Sequence, residues 1–193
     1  MTEQSKAMAL RAELLALLKK KSVFRGEFTL ASGAKSTYYI DCRLTTFDPV
    51  GATLVGQLMH ELIRGEAERR GAQIDAVGGL TMGADPVALA TAMTSVSSAR
   101  PVQCFAVRKA PKAHGQTKLV EGNFKKGDTV VVIDDVITRG ESTITAINAV
   151  LNEGGKVAFV AALVDRQEGG REKIEGMGYP VVSLFKRDDI LSK

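Results

Sequence analysis

The chain has 193 residues, a formal net charge of +4 and 25% charged residues. That length fits one domain with its own core. Hydrophobic residues make up 45%, which excludes global disorder. No apolar run approaches the roughly 18 residues that a membrane helix needs. The first residues lack the apolar stretch of a secretory signal, so a cytoplasmic protein is expected. There are two Cys, two His and no CxxC or HExxH, which argues against a zinc site. The sequence pI of about 9.1 admits an anionic small molecule or a nucleic acid as partner. Aromatic residues are only 5% and Trp is absent, poor material for a platform that stacks single-stranded bases.

In chain order, Leu10, Leu14, Leu17 and Leu18 predict an amphipathic helix over Ser5–Lys21. Phe28-Thr29-Leu30, a polar loop and Ser36–Asp41 predict a short hairpin. Asp48-Pro49 marks a helix start, and Val50, Leu54, Leu58 and Leu62 mark its apolar face. Ile74–Gly79 reads as a strand, Asp85-Pro86 opens a helix, and Val102–Val107 is a strand. Arg108–Gly127 is polar, basic and without period, so it reads as a long functional loop. Thr129–Ile133 is a strand buried on both faces. A helix over Ser142–Leu151, a strand over Val157–Val164 and a last strand over Val181–Phe185 follow. This alternation predicts an α/β fold with a mostly parallel sheet flanked by helices. Ligands of such sheets lie beyond the carboxyl ends of the strands.

One strand end stands out. Val130-Val131-Val132-Ile133 delivers Asp134 and Asp135, and Val136-Ile137-Thr138-Arg139-Gly140-Glu141-Ser142-Thr143 leads into a helix. The helix start is an anion site, and Thr138, Ser142 and Thr143 add hydroxyls. Two carboxylates repel a phosphate, but they accept hydrogen bonds from sugar hydroxyls or hold Mg²⁺ through water. Phosphate plus diol describes a ribose 5-phosphate. No GxxxxGK[ST], no GxGxxG after a strand and no GxSxG is present.

The string from Val130 to Thr143 resembles the phosphoribosyl-pyrophosphate signature of type I phosphoribosyltransferases. Arg108-Lys109-Ala110-Pro111-Lys112-Ala113-His114-Gly115 is similar to the basic loop of the orotate phosphoribosyltransferases. Phe28-Thr29-Leu30-Ala31-Ser32-Gly33 through Tyr38-Tyr39 resembles their N-terminal element, and Asp165-Arg166 their penultimate strand end. The likeness runs from about Phe24 to Arg166.

The resemblance implies a single domain over residues 1–193, with about 1–45 forming a small N-terminal hood over the base site. It implies transfer of phosphoribose from 5-phosphoribosyl 1-pyrophosphate (PRPP) to orotate in pyrimidine (UMP) synthesis, with Mg²⁺. Asp134, Asp135, Val136, Ile137, Thr138, Arg139, Gly140, Glu141 and Ser142 are expected to hold the donor's ribose 5-phosphate. Arg108, Lys109, Lys112 and His114 are expected on the pyrophosphate, from a loop shared across a homodimer. Thr138 and Arg166 are expected on orotate. Lys109, Lys112 and His114 would serve catalysis at the leaving group, and Asp134 and Asp135 at the ribose ring. Two positions depart from the family pattern: Ala31 and Met82 stand where lysines are common. Backbone N–H groups of Thr81–Gly83 remain to hold pyrophosphate. A transferase for another base, such as a purine, and a nucleic-acid-binding regulator are the competing readings. The second predicts a steep salt dependence of binding.

Overall fold

The computed structural model describes residues 3–29, 35–110 and 118–192. Helix α1 (Glu3–Lys21) is followed by the antiparallel pair β1 (Val23–Thr29) and β2 (Lys35–Ile40). A short helix α2 (Arg43–Thr46) leads into α3 (Pro49–Arg70). The Asp48 side chain caps α3 by accepting from the backbone N–H groups of Val50 and Gly51, as its sequence promises. Then come β3 (Ala76–Leu80), α4 (Ala84–Ser95), β4 (Gln103–Val107), β5 (Val120–Gly122) and β6 (Thr129–Ile137). The chain ends with α5 (Glu141–Asn152), β7 (Lys156–Asp165), α6 (Gly170–Gly176), β8 (Val181–Lys186) and α7 (Arg187–Leu191).

The six-stranded sheet has the order β5-β4-β3-β6-β7-β8. Its pairings are parallel except for β5, which runs antiparallel on the edge of β4. β6 shows why the sheet is buried twice. Val131 and Ile133 join the core under α1 and α3, while Val130 and Val132 join the core under α5. A period of two on a strand covered on both faces leaves only apolar residues.

The strand order runs one way from β3 to β4 and the other way from β6 to β8. The switch point therefore lies between β3 and β6, where open α/β sheets bind ligands.

Three sequence expectations change. β6 does not stop at Ile133: Val136 pairs with Val164 and Ile137 with Asp165 on β7. Val136 and Ile137 continue the β-branched run, so the acidic pair sits inside the strand. The stretch over Arg108–Gly127 is not wholly irregular, since β5 lies within it. Helix α4 begins at Ala84 with Gly83 as N-cap; Asp85 instead accepts a 2.6 Å hydrogen bond from the Thr81 hydroxyl.

Candidate active site

A cleft of about 380 Å³ opens at the switch point. One wall is the end of β6 and the start of α5, giving Asp134, Asp135, Val136, Thr138 and Ser142. The opposite wall is the loop after β3, giving Thr81, Met82 and Gly83. The N-terminal pair and its exit add Tyr39, Asp41, Cys42 and Arg43, and Lys109 and Arg166 complete it.

Gly140 is the N-cap of α5, with φ of 81°. That left-handed conformation suits glycine. No side chain caps this helix, so N–H groups of its first turn stay available to an anion. The Thr143 hydroxyl does not join them. It is buried and donates to Asp134 Oδ2 at 2.6 Å, which corrects the expectation that it faces a phosphate.

Asp134 is buried and Asp135 half-buried. Burial pushes Asp134 up to about 7, and repulsion from Asp135 adds to the rise. Burial also raises Asp135, against the hydrogen bond from Asp134 and the charge of Arg43. Such perturbed neighbours in a cleft mark a functional site. Gly83 lies against this pair: a Cβ there would stand 2.3 Å from Asp135 Oδ1.

Arg166 is buried to 5% exposure. Its Nη2 lies 2.7 Å from Glu168 Oε1, and its guanidinium sits 5.0 Å above the Tyr38 ring. Its Nε is buried with no hydrogen-bond partner among the described residues. A buried unpaired donor is costly and calls for an acceptor.

The structure thus gathers Lys109, Asp134, Asp135, Val136, Thr138, Ser142 and Arg166 around one cleft. It turns others elsewhere. Ile137 is in the core, though its carbonyl accepts from the Arg166 N–H at 2.9 Å. Arg139 and Glu141 are exposed, and Glu141 lies 3.7 Å from Lys173. Arg108 pairs with Glu121 at 3.9 Å rather than lining the cleft. Lys112, His114 and Ala31 lie outside the described residues. His60 is remote from the cleft and bonds the Ser98 hydroxyl at 3.1 Å. Sequence reasoning missed Arg43 and Glu168. The Asp41-Cys42-Arg43 exit of β2 and the Asp165–Glu168 exit of β7 were the available signals, since both follow strands.

No cluster of three or more Asp, Glu, His or Cys side chains fit for a metal occurs among the described residues. Two carboxylates suit a divalent cation that arrives with a phosphate ligand and keeps water, the habit of Mg²⁺.

A doubly wound sheet with an acidic pair at its switch point and an uncapped helix start beside it has the architecture of the type I phosphoribosyltransferases. No protein-family model matches the chain. It is 44% identical to the orotate phosphoribosyltransferase of Aquifex aeolicus, over 94% of this chain and 97% of that one. The Mycobacterium tuberculosis orotate phosphoribosyltransferase in complex with Fe(III) dicitrate superimposes with a TM-score of 0.80 at 41% identity. That match covers 94% of this chain and 99% of the other. The same M. tuberculosis enzyme in complex with PRPP gives 0.76 at 39% identity, over 94% and 98% of the two chains. The chain belongs to the orotate phosphoribosyltransferase family.

Proposed function

We propose that the chain transfers the phosphoribosyl group of PRPP to orotate, giving orotidine 5′-monophosphate and pyrophosphate, in pyrimidine (UMP) synthesis. The observation that carries this is the juxtaposition, in one cleft, of the Asp134–Asp135 pair, an uncapped α5 start and a buried Arg166. The backbone N–H groups of the turn over Thr138, Arg139, Gly140, Glu141 and Ser142 into the first turn of α5, with the Thr138 and Ser142 hydroxyls, hold the 5-phosphate. Asp134 and Asp135 accept from the ribose hydroxyls, and Val136 and Ile137 set the strand that aims them. Thr138 and Arg166 hold orotate; the unpaired Nε of Arg166 is a donor for its carboxylate.

The orotate nitrogen gives its electron pair to the anomeric carbon. The bond to pyrophosphate breaks with its pair on the leaving oxygen, and the nitrogen's proton passes to solvent. Positive charge develops on the ring and negative charge on the leaving group. The acidic pair faces the first, and Arg108, Lys109, Lys112 and His114 face the second. Asp135 would hold Mg²⁺ through water, and the bound ion would supply charge neutralisation at the leaving pyrophosphate. The basic stretch from Arg108 acts as a lid that excludes water.

Residues 1–45 act as a hood on a single domain over residues 1–193. Tyr38 under Arg166 and Tyr39 in the cleft wall support this. The working form is a homodimer in the cytoplasm, with the basic loop shared between copies. Leu89, Met93 and Val96 share one face of α4 and are each more than half exposed. Met82 and Phe47, also exposed, form a second apolar surface at the rim of the cleft. A patch of this kind beside a site marks an interface. Among the described residues no helix is long and apolar enough to cross a membrane.

The test is a panel of bases with PRPP and Mg²⁺. Orotate is consumed and uracil, which lacks the carboxylate, is turned over at least 100-fold less efficiently, because Arg166 Nε would be left buried and without an acceptor. Equal use of uracil, or preference for adenine or hypoxanthine, would overturn the reading of the base site.

A further inference from the structure

The loop after β3 carries Met82, 58% exposed, where a lysine is common in the family. The loop after β3 therefore offers the leaving group no side-chain cation, and Lys109 reaches the cleft from the exit of β4 instead. Arg43 lies at the leaving-group end of the cleft. It opens α2 directly after β2. A shallow groove beside the cleft shares three residues with it, Asp41, Arg43 and Met82. That groove contains none of Thr138, Ser142 and Arg166. The three shared residues thus mark the rim away from the α5 start and from the base side.

The Arg43 guanidinium has a fixed plane. Nε and Nη2 donate to Asp41 Oδ1 and Oδ2, each at 2.8 Å, and the Arg43 backbone N–H donates to Asp41 Oδ1 at 3.1 Å. This fork uses two nitrogens and leaves Nη1 outside it. Asp41 is mostly buried, while the Arg43 side chain is 49% exposed. The fork weakens the field of Arg43 and in return removes its rotamer freedom. The charge still reaches the acidic pair, since it holds down the rise of Asp135.

We propose that Arg43 supplies the cation that Met82 does not, binding the pyrophosphate of the donor and meeting the charge that forms on it as the bond to the ribose breaks. The proposal rests on the transferase reading above and names a residue of that site. Asp41 is then a positioning residue, because it acts only through Arg43.

The experiment compares Arg43→Ala, Arg43→Lys and Arg43→Ala combined with Met82→Lys in the full chain. Binding of inorganic pyrophosphate with Mg²⁺ is measured by calorimetry, and KM for PRPP and for orotate by steady-state kinetics. Arg43→Ala is expected to weaken pyrophosphate binding and raise KM for PRPP by about tenfold or more, the scale of one charge-assisted hydrogen bond. KM for orotate stays within about twofold of its original value. Arg43→Lys falls between the two. Adding Met82→Lys to Arg43→Ala restores pyrophosphate binding, which a merely structural loss would not permit. Unchanged pyrophosphate binding in Arg43→Ala, or a double variant no better than Arg43→Ala, would overturn the proposal. Pyrophosphate binding needs no base, so a wild-type protein that binds it but consumes no orotate fails the transferase reading and not the Arg43 one.

Discussion

Asp134 is where structure and chemistry meet most closely. A carboxyl raised by burial binds its proton more tightly in the folded chain than in the unfolded one. Its stabilising effect is complete below the ordinary value of 3.8 and fades as pH rises toward about 7. The ligand-free protein is therefore expected to lose stability between about pH 4 and pH 7 from this group. Asp134→Asn removes the dependence and can still accept from Thr143. We expect it to be more stable than the wild type at pH 8, by on the order of 2 kcal/mol, with the gap closing near pH 4. Its turnover falls by an order of magnitude or more, since a charge near the developing cation is gone. Thermal melts across pH, with and without the substitution, check the first; steady-state turnover checks the second. Asp135→Asn should also lower turnover, without the same gain in stability, because Asp135 is less buried. A wild-type rate in both variants would refute their role. Such a trade of stability for function is common at active sites.

At the scale of elements, β6, the β3–α4 loop and α5 fix the cleft. The acidic pair and the α5 start were legible in the sequence because an apolar strand followed by polar turn residues has one common meaning. The length of β6 was not: the carboxylates interrupt its apolar run, and only pairing with β7 shows that Val136 and Ile137 continue it. β5 was missed because three residues carry no period and its partner strand β4 lies well before it in the sequence. Arg43 was missed because its relevance depends on α2 returning to the cleft, a tertiary fact. The β3–α4 loop offers a sharp test. Gly83→Ala would place a methyl 2.3 Å from Asp135 Oδ1, so the carboxylate must move. Turnover is expected to fall at least 100-fold, the cost of a misplacement near 1 Å, with a far-ultraviolet circular dichroism spectrum like the wild type. An active Gly83→Ala protein would show that Asp135 has room to spare.

The whole molecule carries the last expectation. Among the described residues no element covers the exposed Leu89 and Met93 of α4, and Met82 is exposed at the rim of the cleft. Met93→Glu would place a charge on the apolar side of α4 that the proposed dimer buries. We expect monomers by sedimentation velocity and a turnover loss of tenfold or more, because in the proposed dimer the basic stretch from Arg108 serves the neighbouring copy. An unaltered dimer after Met93→Glu would move the interface elsewhere. The strand order of the sheet came from the structure, while its mostly parallel arrangement followed from the alternating pattern of the sequence. The assembly did not, because an exposed methionine or valine on a helix reads as ordinary until its neighbours in space are known.

The reaction itself is open to direct measurement. Orotate is followed by its ultraviolet absorbance in the presence of PRPP and Mg²⁺, with each component omitted in turn. Loss of orotate absorbance is expected only when all three are present with the protein, and none when any one is left out. Orotate that persists in the complete mixture while PRPP is consumed with another base would contradict the assignment of Arg166 and the base site.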